Sequence, residues 1–168
     1  MRWPTISKKT RRLIRQNMKN DCAATTESLE IRRWVAASPQ RVFTAWTNPL
    51  ELKNWWGPKD VRCISAEIDL RVGGHYRIGN ELPDKTVVLI EGVFEKIEEP
   101  GLLVYTWRVD SRPGASERVT VQLLSQGDGT EVIVRHERIQ TTTLRDRHMQ
   151  GWMGCLDGLI EYLASDRQ

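Results

Sequence analysis

The side chains best suited to chemistry in this 168-residue sequence are few: three histidines, three cysteines and a handful of strand-borne acids. Cys22, Cys63 and Cys155 lie far apart and form no CxxC pair, so their spacing fits neither a disulfide framework nor a zinc site. No GxSxG elbow prepares a serine nucleophile. Gly73-Gly74 lacks the GxxxxGKS/T frame of a phosphate loop and precedes a strand-like run, so it reads as a turn or bulge. Glu67 and Glu91 fall on strands and could work as acids or bases, but no spacing singles them out. The sequence shows no catalytic constellation. Three scattered histidines predict no metal site, and no cofactor is expected.

What the residues do suggest is a pocket. Alternation places Leu103, Tyr105, Trp107 and Val109 in one phase, as it does Val132, Val134 and His136, Tyr76 and Ile78, and Leu29, Ile31, Arg33 and Val35. Arg33 and His136 are thus polar residues in apolar phases, turned toward the same interior as Tyr76, Tyr105 and Trp107. An ionised Arg in such a place needs a partner or a ligand. One reading is a polar anchor inside a mostly apolar small-molecule pocket. The other is that Arg33 snorkels or pairs with a Glu near a strand end, and that His136 is a hydrogen-bonded core residue. Trp56 is either a cavity lid or cover for the sheet edge. Of Trp55 and Trp56 one is expected inside and one outside, because adjacent helical residues do not share a face. Trp46 lies on the apolar face of an early helix. Trp152, on the last helix, reads as core or cavity wall, and His148, one turn earlier, as helix surface or cavity mouth. Arg33, Trp46, Trp56, Tyr76, Tyr105, Trp107, His136, His148 and Trp152 are therefore the candidate cavity residues.

These side chains are carried by a legible series of elements. Leu29 to Val35 alternates as a strand. Ser38-Pro39 and Asn48-Pro49 each start a short helix, with the polar residue as cap and proline in the first turn. Strand-like runs follow at Cys63–Leu70, His75–Gly79, Val87–Ile97, Leu102–Val109, Glu117–Leu124 and Thr130–Arg138. Gln126 to Gly129 forms a hairpin turn in which Asp-Gly supplies the positive φ. Met149, Trp152, Met153, Leu156, Leu159, Ile160 and Leu163 recur at helical spacing and predict a long helix over about 144–164. Hairpin-connected strands after a single β-α unit argue for an α+β class.

Seven tryptophans suggest a bulky core or a lined cavity. The net charge of +3 is uneven: residues 1–21 hold seven Lys/Arg and one acid, so a basic segment precedes a faintly acidic domain. We divide the chain into a basic leader, 1–26, and one domain, 27–168. The leader reads as a flexible extension, as sequence ahead of a start at Met18, or as an electrostatic arm. No aromatics interleave its basic run, so a nucleic-acid partner is not expected. No apolar run approaches the ~18 residues of a membrane span, and no signal-like stretch follows the first charges. A cytoplasmic location is expected.

Several segments in their order carry a resemblance. These are Val42-Phe43-Thr-Ala45-Trp46-Thr-Asn-Pro49, Trp55-Trp56-Gly57-Pro58, Glu67 to Tyr76, Gly92 to Ile97 and Leu103 to Trp107. Gly129-Thr130 through His136-Glu137 and His148 to Trp152 with Leu156–Leu163 complete the set. Over residues 28–164 the chain resembles the START-like (SRPBCC) superfamily, and within it the family named after the activator of heat-shock protein 90 ATPase. The resemblance implies a helix-grip fold: a curved antiparallel sheet of about six to seven strands wrapped around a long C-terminal helix, with two short helices after the first strand. It implies a small hydrophobic or amphipathic ligand held between sheet and helix. Two alternatives come with it. One is a co-chaperone-like module stimulating a chaperone ATPase, although the name-giving co-chaperones use an additional N-terminal domain for this. The other is a cavity-based hydrolase or cyclase using Arg33, Tyr105 or His136. A homodimer through the sheet is compatible with the same pattern.

Overall fold

The computed structural model describes residues 26–166. The expected basic leader therefore lies, but for Thr26, outside the described residues. The elements run β1 (Glu27–Val35), α1 (Pro39–Thr47), α2 (Pro49–Trp55), β2 (Arg62–Ile68), β3 (His75–Glu81), β4 (Val87–Glu98), β5 (Leu102–Val109), β6 (Glu117–Gln126), β7 (Gly129–Ile139) and α3 (Thr142–Ser165). All seven strands form one antiparallel sheet in the order β1-β7-β6-β5-β4-β3-β2. Every neighbour in that order is a sequence neighbour except β1, which returns beside β7. Register shifts in β1, β2 and β4 mark bulges, which bend strands and deepen the curvature of the sheet. No helix among the described residues is long and apolar enough to cross a membrane.

Side-chain caps set the helix ends. Ser38 Oγ accepts from the Arg41 amide at 3.2 Å, with Pro39 in the first turn of α1. Asn48 closes α1 with its own N–H on the Thr44 carbonyl, and opens α2 by accepting from the Leu50 amide at 2.9 Å. Thr141 caps α3, accepting from the Leu144 amide at 3.1 Å, which starts that helix two residues before the hydrophobic pattern does. Arg41 then ties the helices together. Its guanidinium lies 2.7 Å from Glu51 of α2 and 2.7 Å from Asp166 at the end of α3.

The core lies between the sheet and the helices. In β1, Leu29, Ile31 and Val35 are buried while Ser28, Glu30, Arg32 and Trp34 face out. Trp152, Cys155, Leu156, Leu159 and Leu163 form the buried stripe of α3, which packs on β1, β7 and α2. Met153, expected in that stripe, is 42% exposed, because one residue beyond Trp152 the helix has turned ~100°. Trp55 and Trp56 are both buried, contrary to the expected one-in, one-out pair. The helix ends at Trp55 and Trp56 is extended (φ −71°, ψ 132°), so helical rotation does not separate their side chains. In the β6–β7 hairpin the positive φ is at Gly127 (62°), the first loop residue, so Gly-Asp and not Asp-Gly makes the turn.

Candidate functional site

The deep interior between sheet and helices is filled. Trp46, Tyr76, Phe94 and Tyr105 meet there, with ring centroids of 5.2 Å for Tyr76–Tyr105 and 5.9 Å for Phe94–Tyr105. About 20 Å³ remains among them, space for a single water. The Tyr76 hydroxyl donates to the Thr106 carbonyl at 2.7 Å. Burial raises the pKa of both Tyr76 and Tyr105, so both are neutral phenols. Trp46 stacks on Trp152 at 6.1 Å with its plane tilted 20°.

Open space lies toward one end of this interior. A cavity of about 180 Å³ is walled by Trp56, Trp107 and Trp152, with Asn80, His148 and Gly151 on its lining. A second space of about 160 Å³, lined by Glu117, Arg112 and Leu144 among others, shares Trp107, Val109 and His148 with the first. Trp107 and His148 therefore stand between two adjoining spaces. Asn80 and Trp107 are 6% and 7% exposed, yet Asn80 Oδ1 and Trp107 Nε1 have no hydrogen-bond partner. Larger furrows follow the α2–α3 surface and the outer face of the sheet, both open to solvent and lined by polar and apolar surface together.

Beside Trp107 sits a cluster built from three elements. Glu117 is the cross-strand partner of Trp107, and His136 is opposite Val119, two residues further along β6 on the same face as Glu117. His148 and Trp152 are one turn apart on α3 and share its inner face. Glu117 Oε2 lies 2.8 Å from His136 Nε2 and 2.8 Å from His148 Nε2. The imidazole rings stack at 4.5 Å with planes 19° apart. Trp152 Nε1 donates to His136 Nδ1 at 3.1 Å. An indole N–H can only donate, so His136 Nδ1 carries the lone pair and Nε2 the proton. That N–H approaches Glu117 off the hydrogen-bond axis, a short electrostatic contact.

The electrostatics follow. Burial opposes the charge on Glu117, but the imidazole N–H groups of His136 and His148, both 2.8 Å from its Oε2, outweigh it and hold the carboxyl at about 2. Burial lowers the pKa of His136 and keeps it neutral, with Glu117 opposing. The donor atoms of Glu117, His136 and His148 all lie within 4.8 Å of one another, a metal-like spacing. The Trp152 indole argues against that use, because a metal ligand at His136 Nε2 needs the lone pair that this nitrogen does not have.

Of the nine candidate residues, Trp56, Trp107, His148 and Trp152 come together on the open cavity. Trp46, Tyr76 and Tyr105 line the filled interior, and His136 lies fully buried behind the wall. Arg33 stands apart from both: its Nε lies 3.6 Å from Asp157, an acid at the edge of α3. Glu117 and Asn80 were missed. Both carry a sequence signal: Glu117 shares its strand phase with Val119, Val121 and Leu123, and Asn80 with Tyr76 and Ile78.

The family model of the Activator of Hsp90 ATPase homolog 1-like proteins matches residues 36–164. Solved structures show the same fold. A Chromobacterium violaceum protein is 24% identical, covers 81% of this chain and 96% of its own, and has a TM-score of 0.73. The AHSA1 protein of Silicibacter pomeroyi is 23% identical over 83% of this chain and 99% of its own, with a TM-score of 0.74. The AHSA1-like protein of Aeromonas hydrophila is 22% identical over 83% and 94%, with a TM-score of 0.69. No curated protein matches the chain. Since the matched segment carries β2 to β7 and nearly all of α3, the chain belongs to the Activator of Hsp90 ATPase homolog 1-like family and has its START-like, helix-grip fold.

Proposed function

We propose that the protein binds a small, flat, largely apolar ligand in the cavity walled by Trp56, Trp107 and Trp152. The observation that carries this reading is an open cavity walled by three tryptophans and aliphatic side chains, in which two buried polar atoms of lining residues, Asn80 Oδ1 and Trp107 Nε1, have no partner. Leaving a buried donor or acceptor unsatisfied costs ~1–3 kcal/mol. A ligand acceptor that meets the Trp107 N–H would recover part of that cost while the apolar body of the ligand stacks on the tryptophans. The volume of about 180 Å³ is of the right order, given that an apolar cavity of ~150 Å³ takes up benzene. The described cysteines, Cys63 and Cys155, are buried and unpaired, which suits a cytoplasmic setting for such a binder.

Gly151 offers the test. It lines the cavity from α3, and a side chain there meets nothing within 4 Å. Titration with 4-nitroanisole, followed by tryptophan fluorescence, is expected to show saturable quenching. Gly151→Leu fills the space and is expected to weaken that binding about tenfold or more, with no loss of thermal stability. Wild-type protein that shows no saturable quenching would overturn the reading.

A further inference from the structure

We infer that Glu117 and His148 form a proton-accepting dyad on the cavity wall, in which His148 Nδ1 receives the acidic hydroxyl proton of a phenol- or enol-type ligand. The inference rests on the ligand-binding reading above and names the ligand class that the site would take.

The assignment follows by elimination within the cluster. Glu117 is ionised and engaged by both imidazoles through one oxygen, so it is an anchor and not the free base. His136 has no lone pair to offer: its Nδ1 accepts from Trp152, and its Nε2 carries the proton facing Glu117. His148 Nε2 lies 2.8 Å from the same carboxylate oxygen, and a carboxylate can only accept. Nε2 therefore bears the proton and Nδ1 the lone pair. Among the described residues nothing bonds to that Nδ1, and the ring carrying it lines both spaces at the mouth. A carboxylate behind an imidazole, holding its tautomer and offsetting the charge it gains, is the arrangement that makes histidine an effective base.

The step balances within the complex. The ligand O–H bond breaks, the Nδ1–H bond forms and the electron pair stays on the ligand oxygen. The imidazolium is offset by Glu117, and His136 stays neutral beneath it. No oxidant or further reactant is needed. The surroundings favour the resulting anion. Arg147 lines the first space from α3, and Arg108 and Arg112 line the second, from β5 and from the loop after it respectively. Arg147 and Arg112 are both exposed side chains. Trp107 Nε1 adds an unpartnered donor on the shared wall. Glu117 from β6, His136 from β7 and these three arginines are the charged or titratable groups around His148.

The test uses 4-nitrophenol, whose anion is yellow, against its methyl ether 4-nitroanisole, which has the same shape and no proton. At mildly acid pH, binding to the intact protein is expected to generate 4-nitrophenolate absorbance. The phenol is expected to bind about tenfold or more tighter than the ether, as one charge-assisted hydrogen bond would give. His148→Gln should abolish the absorbance and bring the affinity ratio to about one. Glu117→Gln should reduce both, with melting curves confirming that each variant is folded. Equal binding of the two probes without phenolate would overturn the dyad and leave the binding reading standing. Failure of both probes to bind would overturn both. Phenolate formation that persists in His148→Gln would assign the effect to the arginines and overturn the dyad. Stoichiometric Zn²⁺ binding that is lost in His148→Gln and competes with the phenol would overturn it in favour of a metal site.

Discussion

His136 illustrates how one hydrogen bond decides what a cluster can do. The ring is fully buried, stacked on His148 and edge-on to Trp107, so burial alone would make it an inert core residue. Trp152 Nε1 fixes its tautomer and leaves its other N–H facing Glu117. Trp152→Phe removes that donor and keeps an aromatic ring at the site. Urea unfolding is expected to show a loss of at least ~1–3 kcal/mol, the cost of an orphaned buried acceptor plus the smaller ring. An unchanged midpoint would show that the indole bond does not set the tautomer. At this scale the sequence was half legible. His136, Trp107 and Trp152 stood out as large or polar residues in inward phases. Glu117 did not, because an acid at the first position of a strand reads as a solvated end even in the phase of Val119 and Val121, and its register beside Trp107 is what encloses it. Asn80 escaped for the same reason at the other end of a strand: β3 runs through Glu81, beyond the glycine where the alternation seemed to stop.

At the scale of elements, α3 carries three glycines on one face, and they meet different surroundings. A Cβ at Gly154 would fall 2.5 Å from Pro58 Cβ, and one at Gly158 would fall 2.6 Å from the Trp55 carbonyl oxygen. The helix thus rests almost directly on the segment after α2, where Cys155 Sγ also accepts from the Gly57 amide at 3.3 Å. One turn earlier, at Gly151, the helix and that segment part and the cavity opens. Identical substitutions should therefore have opposite signs. Gly151→Ala gains helix propensity without a clash and is expected to stabilise by ~1 kcal/mol. Gly154→Ala or Gly158→Ala gains the same propensity but must displace backbone or a rigid ring, a net loss of ~1–3 kcal/mol. Paired urea curves check this, and equal shifts at all three sites would contradict the close approach. Helix starts at Ser38 and Asn48 were legible because capping is local chemistry. The joint burial of Trp55 and Trp56 was not, because it depends on the backbone leaving the helix between them and on α3 closing over both.

Across the whole molecule, the Glu117 cluster joins β6 and β7 of the sheet to α3, so its protonation state bears on global stability. His136 has its pKa lowered from an ordinary 6.5, with burial the leading cause. As pH falls below about 6.5, the unfolded chain gains a proton at this position that the folded protein refuses, and stability declines. Glu117 acts in the same direction further down. Its carboxyl is held at about 2 against an ordinary 4.5, so the contribution it makes above about 4.5 is lost as the pH falls through about 2. The melting temperature of the wild-type protein is therefore expected to hold near neutrality, to fall from about pH 6.5 downward and to fall more steeply below about pH 4.5. His136→Asn replaces the titrating ring with a group that does not titrate, and should flatten the upper part of that curve. The other acids with lowered values lie near the surface, Glu81 held by Lys85, Asp84 by the Thr86 amide and Glu91 by Ser111, where solvent leaves them little influence on the slope. Melting curves of the two proteins from neutral to acid pH decide the matter. A wild-type curve flat through the upper range, or a variant with the same slope, would mean that the cluster is decoupled from the cooperative fold. The expected slope would instead make the contact between sheet and C-terminal helix at the cavity mouth part of what holds the molecule together, so that a ligand bound there acts on the stability of the whole fold.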